Sequence, residues 1–472
     1  MNKTRLPSRY GKNEPAGLAG DSLSFKFVIF LAAHVLLGLA VRWSSLAATA
    51  QAFLALAAGL YFLSRDDQPN RLIFSMAYIT GAETLWRAAG AHIFWETGKY
   101  SVILLGGLGL LKYARGSRPV MWPVAYFILL LPSLAVMPYF DREAIAFNLA
   151  GPFALAVACM FFSVVRIDQA AIKRTLIMIL APTMSLGIFV LGKIASYQEI
   201  TVGSSSNFQL SGDYGPNQVS VALALGALAG LYLVFLETRP FYRFLFLFVS
   251  VWLLAQSALT FSRTGVWITG GAVVVSGLYL LRSPRARLGF IAAVLAAGLA
   301  GYYLIVPFLN DFTGGRFSDR YSSLDTTGRL EIVQADWMVF QMYPLFGVGP
   351  NQSKPYHALT FRYSSSHVEY SRMLSEHGIF GLLALMLLLR AAAQRYFSSG
   401  DPYSKSFPLG LTAWALLFML ASGTRLVMPS FLFGFGAAAF VLRRQPDLST
   451  GDVAVSGKLG TRLSQPHNRW IR

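Results

Sequence analysis

The chain alternates between long apolar runs and short polar connections. The stretches Phe27 to Val41, Ala47 to Leu63, Val219 to Leu236, Leu288 to Val306 and Leu426 to Leu442 contain no Asp, Glu, Lys or Arg. Helical runs of about 18 to 22 apolar residues match the thickness of a bilayer core. Less uniform stretches bring the expected total to about 14 spans. These lie near residues 25–41, 46–64, 72–90, 99–113, 119–137, 143–164, 175–195, 217–236, 241–260, 264–281, 287–307, 378–394, 406–421 and 426–442. The expected class is all-α, a polytopic membrane protein.

A polar island interrupts this pattern between about Asn310 and His377. The chain then divides into a basic segment 1–24, spans 1 to 11 over 25–307 and a large external loop over 308–377. Spans 12 to 14 occupy 378–442, and a polar tail, expected to be disordered, occupies 443–472. A shorter polar excursion runs from Ser196 to Asn217, rich in Gly, Ser and Asn. Inside the long loop, Leu330, Val333, Trp337 and Phe340 recur at helical intervals, so an amphipathic helix is expected there. Pro344 ends it, and Gly347-Val348-Gly349-Pro350-Asn351 reads as a tight turn.

Composition agrees with the pattern: 55% of residues are hydrophobic, 13% are charged, and mean hydropathy is +0.51. The formal net charge of +18 would suit a nucleic-acid binder were it clustered. Instead it alternates along the connections. One set holds Arg65 and Arg71; Lys112, Arg115 and Arg118; Arg166, Lys173 and Arg174; Arg239 and Arg243; Arg282, Arg285 and Arg287; Arg390, Arg395 and Lys405; Arg443 and Arg444. The intervening connections carry single charges such as Arg42, Lys99, Arg142 and Arg425. Positive residues stay on the cytoplasmic side, which places both termini inside and the long loop outside. No nucleic-acid partner is expected. The first span has no cleavage signature before it and is expected to act as an uncleaved anchor. Cys159 is the single cysteine, so an intrachain disulfide is excluded.

Several polar residues could carry chemistry. Arg263, in Ser262-Arg263-Thr264-Gly265, sits where two spans meet at the outer interface. It either snorkels to water or meets an anionic ligand, and its small neighbours leave room for a headgroup. Arg329 follows Asp325-Thr326-Thr327-Gly328 at the start of the loop helix. There the helix field and a planar guanidinium suit a phosphate, although a solvated surface Arg would look the same. Arg316, Arg320, Arg362 and Arg372 keep the loop basic. His367 precedes a helix running into the next span and could take a proton from a sugar hydroxyl, or simply hold the loop. His357 and His377 are weaker alternatives. Glu83 and Arg87 lie four apart on one helix face and read as a self-neutralising pair, which Glu96 and Lys99 could extend.

Other chemistries leave no trace. There is no Gly-rich nucleotide loop, no metal-ligand spacing and no Gly-x-Ser-x-Gly elbow, so neither a metal nor another cofactor is expected. An external enzyme of this kind needs a donor that carries its own leaving group, and a lipid-linked diphosphate sugar is one.

Thr327-Gly328-Arg329, the run Tyr343-Pro344-Leu345-Phe346-Gly347-Val348-Gly349-Pro350-Asn351, and His367 resemble the O-antigen ligase family. The family pattern is a His, a polar residue, nine residues, then Gly-x-x-Gly. Nine residues separate Val368 from Gly378-Ile379-Phe380-Gly381; Val368 replaces the polar residue. Ser262-Arg263-Thr264-Gly265 is similar to the family's outer-face Arg segment, and the resemblance spans about residues 205–395.

The resemblance implies a GT-C-like membrane glycosyltransferase of the bacterial inner membrane. It would perform a metal-independent, inverting transfer from an undecaprenyl diphosphate-linked glycan donor. Arg263 and Arg329 would hold the diphosphate, and His367 would orient or deprotonate the acceptor hydroxyl. Asn217, Gln218, Arg316 and Arg320 are the further substrate-binding candidates. The acceptor would be a glycan or lipid A-core, with membrane lipids and other polysaccharide assembly proteins as partners. The stretch Ser211 to Gln218, and Glu83 to Arg87 followed by Phe94 to Tyr100, resemble exopolysaccharide polymerases more than ligases. A flippase of lipid-linked sugars would instead show internal repeats and midplane charges. A non-catalytic scaffold would leave His367, Arg263 and Arg329 dispensable.

Overall fold

A computed structural model describes residues 25–203, 205–323, 328–360 and 366–441. The basic start 1–24, the tail from 442 onward, the stretch Leu324 to Thr327, and Arg362 lie outside the described residues.

The fold is all-α apart from one short ladder. In chain order the helices are α1 Phe25–Trp43, α2 Ser45–Arg65, α3 Asn70–Ala88, α4 Thr97–Tyr113, α5 Trp122–Ile128 and α6 Arg142–Ser163. Next come α7 Gln169–Ile194, α8 Pro216–Leu236, α9 Pro240–Leu259, α10 Arg263–Leu280, α11 Pro284–Ala300 and α12 Val306–Phe312. The set closes with α13 Arg316–Ser322, α14 Arg329–Met342, α15 Lys354–Thr360, α16 Glu369–Phe397, α17 Pro402–Met419 and α18 Met428–Phe435. Strands β1 Arg166–Asp168 and β2 Ala439–Val441 pair in parallel.

Local sequence explains many of the starts. Asp141, Asp168 and Asp401 cap α6, α7 and α17, each accepting a backbone N–H three residues on. Pro216, Pro240 and Pro402 occupy the first helical position, where no N–H is needed.

Eight helical segments among the described residues are long and apolar enough to cross a bilayer. They correspond to α1, α2, α6, α7, α8, α9, the α11–α12 continuum and α16. This is a multi-pass membrane protein. Helices α3, α4, α10 and α17 coincide with further expected spans without meeting both criteria.

Two expected spans are not single helices. The 119–137 stretch breaks after α5 into a 3-10 turn, Pro132–Val136, because Pro132 cannot continue the α-helical ladder. The 426–442 stretch is the eight-residue α18 followed by β2, the helix ending at the Gly434-Phe435-Gly436 run.

Helix α8 forms the centre, with 89% of its apolar window buried, whereas the α11–α12 segment has 6% buried and is peripheral. Because lipid is as apolar as leucine, an apolar face need not seek protein. The loop helix α14 shows the consequence. Leu330 and Trp337, on the apolar positions that predicted this helix, are exposed, and α14 buries Ile332, Ala335, Asp336 and Val339.

Four of the basic connections, those following α6, α8, α10 and α16, lie together at one end of the bundle. Tyr403 donates to the Phe235 carbonyl, Tyr279 to that of Tyr396, and Gln169 to that of Leu236. The candidate residues lie on the connections at the other end.

Candidate functional site

The site begins with a turn. Phe261, between α9 and α10, has φ +60°, a left-handed conformation uncommon for a bulky residue. Its ring is buried against Phe317 of α13, which holds the turn in place. The Phe261 carbonyl accepts from Arg320 Nε at 3.1 Å. Arg263, two residues on, donates to the carbonyl of Ser323, and Arg329 Nη2 donates to Thr264 Oγ1 at 3.2 Å. Three arginines from α10, α13 and α14 are thereby gathered on residues 261–264.

Their closeness has an electrostatic signature. Burial, and then the charges of Arg263 and Arg320, lowers the Arg329 guanidinium from its ordinary value. An anion placed among them would relieve that repulsion.

The same place collects helix N-termini. Ser262, which precedes α10, donates to Asn217 Oδ1 at 2.7 Å, so the first turns of α8 and α10 meet. Arg329 opens α14 against Thr264 of α10. Three helix starts with partial positive charge and three guanidiniums form a site suited to a polyanion such as a diphosphate. Gln218 points elsewhere: its Oε1 accepts from Tyr214 at 2.6 Å. Arg316 is exposed one turn before Arg320.

A second polar centre lies at the start of α16. Arg372 binds Glu369 through two nitrogens, at 2.9 and 2.6 Å, and Glu376 at 2.7 Å. It also donates to Asn148 Oδ1 of α6 at 3.1 Å. Glu369 in turn accepts from the backbone N–H and the hydroxyl of Thr424, between α17 and α18. His367 is half-buried on the connection just before α16. Its neighbour Ser366 accepts from Arg425 Nη2 at 2.8 Å through its carbonyl. Burial, and then Arg372, lowers Arg425 to about 10, which leaves it cationic at neutral pH.

Helix α14 joins the two centres. Arg329 lies on its first turn, and Asp336, two turns later, accepts from His357 Nε2, Ser371 and Ser375 at 2.8, 2.6 and 2.8 Å. His357 thus has a buried structural contact. His377 is also buried, against Ser133 and the Leu130 carbonyl. Of the three histidines, only His367 is partly open to solvent.

The Glu83–Arg87 pair is extended as its spacing suggested. Arg87 lies 2.7 Å from Glu83 and 3.5 Å from Glu96, and Lys99 lies 2.5 Å from Glu96. Tyr214 adjoins this network, its hydroxyl pushed up to about 12 chiefly by burial, which Arg87 opposes.

The sequence reading singled out the arginines and His367 but not Asn148, Glu369 or Thr424 as parts of a site. Glu369, Arg372 and Glu376 did carry a signal, since their spacing places all three on one helix face. Asn148 and Thr424 are lone polar residues in apolar surroundings and carried none. Among the described residues, no group of three His, Cys, Asp or Glu is placed to hold a metal ion.

Residues 248–386 match the family model described as O-antigen ligase. This segment runs from α9 through the arginine cluster and His367 into α16. No curated protein matches the chain.

Proposed function

We propose, from the match of residues 248–386 to the family model described as O-antigen ligase, that the chain transfers glycan from an undecaprenyl diphosphate-linked donor to an acceptor sugar. The observation that carries this reading is the meeting of Arg263, Arg320 and Arg329 with the starts of α8, α10 and α14.

In this reaction the acceptor hydroxyl oxygen attacks the anomeric carbon of the donor from the face opposite the diphosphate. The anomeric carbon–oxygen bond breaks, and its electron pair leaves with undecaprenyl diphosphate. His367 takes the hydroxyl proton, and the configuration inverts. Arg263 and Arg329 stabilise the charge that develops on the leaving oxygen. Arg320 holds the Phe261 turn that presents them. No metal enters the scheme. The reaction belongs at the outer face of the inner membrane, with both termini cytoplasmic and residues 308–377 external. The architecture is assigned to the GT-C type.

Polymerisation of repeat units is favoured over ligation to lipid A-core, because residues Ser211 to Gln218 resemble exopolysaccharide polymerases. The test is complementation of a strain lacking this gene by wild type, His367→Ala and Arg329→Lys, with expression verified. The expected result is loss of long surface glycan in the variants and build-up of single lipid-linked repeats. Build-up of full-length lipid-linked chains would mean ligase. Normal glycan from both variants would overturn the reading.

A further inference from the structure

A slot separate from the arginine cluster opens beside His367. Phe147, Asn148, Ser366, Glu369, Arg372, Gly423, Thr424 and Arg425 line it. None of Arg263, Arg320 and Arg329 does.

Its walls have the character of a built site. Asn148, Glu369, Arg372 and Thr424 are all buried. Buried polar groups are costly unless partnered, and here they partner one another across α6, α16 and the α17–α18 connection. Gly423, at φ +60°, keeps one wall close: a Cβ there would stand 2.9 Å from Glu369 Oε2.

Charge separates the slot from the arginine cluster. Here the guanidiniums of Arg372 and Arg425 face Glu369 on the wall and Glu376 behind it, two charges of each sign. A balanced array of hydrogen-bonding groups selects a neutral polyol, whereas three gathered arginines select an anion. The half-buried Phe147 ring adds an apolar edge.

Position supplies the rest. Ser366 lies on the slot and His367 is the next residue in the chain, so a hydroxyl held there lies within one residue of His367. We propose that this slot receives the hydroxyl-bearing edge of the acceptor sugar, with Phe147, Asn148 and Arg425 as acceptor-binding residues. The assignment rests on the glycosyltransferase reading, and it names the part of that site that selects the acceptor.

The test uses the purified full chain in nanodiscs. The donor is the undecaprenyl diphosphate-linked repeat extracted from the deletion strain. The acceptor probe is the oligosaccharide freed from that lipid by mild acid. Phe147→Leu and Arg425→Lys should each raise the KM for the oligosaccharide about tenfold. The KM for the donor, and inhibition by undecaprenyl diphosphate, should stay within about twofold of wild type.

A merely structural role would move both KM values together, and that result overturns the assignment. So does an unchanged acceptor KM in both variants. Retained inhibition by undecaprenyl diphosphate separates a folded, acceptor-blind enzyme from a misfolded one. Absence of any product from wild type would overturn the glycosyltransferase reading itself, and the slot assignment with it.

Discussion

Arg87 of α3 donates a 3.2 Å hydrogen bond to the main-chain carbonyl of Arg425, 338 residues later in the chain. Around that bond, Glu83 accepts from the backbone N–H of Val427 at 2.7 Å, and Lys99 donates to the Thr424 carbonyl at 3.4 Å. The connection between α17 and α18 is non-helical backbone in an apolar bundle, and such backbone persists only where its groups find partners. Three charged side chains, Glu83 and Arg87 on α3 and Lys99 on α4, supply them. Since Thr424 and Arg425 hold Glu369 and Ser366, the network also fixes the chain on either side of His367.

Removing one member of this network leaves its partner charged and buried. Arg87→Met should therefore cost about 3–5 kcal/mol of stability. The double replacement Glu83→Leu with Arg87→Met should recover part of the loss, because an apolar pair of similar volume carries no stranded charge. Thermal unfolding of the purified variants measures both. A single variant as stable as wild type would show that the pair does not support the 424–427 backbone.

Asp336 is the corresponding anchor for α14. Its carboxylate accepts three side-chain hydrogen bonds, from His357, Ser371 and Ser375, in a fully buried place. Asp336→Asn keeps the shape but replaces one acceptor oxygen by a donor and removes the charge, so the charge-assisted bonds weaken and the Ser371 hydroxyl must accept where it now donates. The expected loss is about 2–4 kcal/mol. Glycan transfer should fall in parallel, because the start of α16 follows His367. Wild-type unfolding of this variant would refute the anchoring role.

Sequence alone reached part of this arrangement, and physics explains the boundary. Arg263 stood out because arginine near apolar sequence demands a reason, and Arg329 because it opens the loop helix. Their meeting at residues 261–264 could not be read, because it depends on the left-handed turn at Phe261. The Glu83–Arg87 pair was legible as a local i,i+4 contact, but its attachment to residues 424–427 was not. The apolar spacing of Trp337 predicted helix α14 but not which face it buries, since hydrophobicity in a membrane protein reports lipid and protein neighbours alike.

The arginines should separate by role. Arg320 is buried and donates to the Phe261 carbonyl, so Arg320→Met should cost about 1.5–3 kcal/mol of stability. Arg316 is exposed, and its replacement by Ala should change stability by no more than about 0.5 kcal/mol. Arg329→Met removes a charge that its neighbours disfavour, so the ligand-free protein should not lose stability.

What Arg329→Met should lose is the response to ligand. Undecaprenyl diphosphate at about 100 times its Kd would stabilise wild type by about 2.7 kcal/mol. That stabilisation should shrink markedly in Arg329→Met. An equal thermal shift in both proteins would remove Arg329 from the proposed diphosphate site.

The paired glycines after His367 have a physical explanation that leads to the sharpest stability test. Gly378 breaks α16 with φ +60° and ψ −138°, a conformation closed to other residues without strain. The next residue, Ile379, donates its backbone N–H to the Pro344 carbonyl at 2.7 Å. Val348 and Gly349 donate to the carbonyls of Ser375 and Glu376, so the 343–349 turn and the α16 break are laced together. A Cβ on Gly378 would lie 2.5 Å from the Leu345 carbonyl oxygen, and backbone cannot yield there as a side chain could. Gly378→Ala therefore combines a left-handed backbone penalty with a collision, and a loss above about 2 kcal/mol is expected. Gly90→Ala is the control, because Gly90 has φ +66° with nothing within 4 Å and should lose only the backbone contribution, about 1 kcal/mol. If both variants melted alike, the lacing between the 343–349 turn and α16 would not be what the glycine serves.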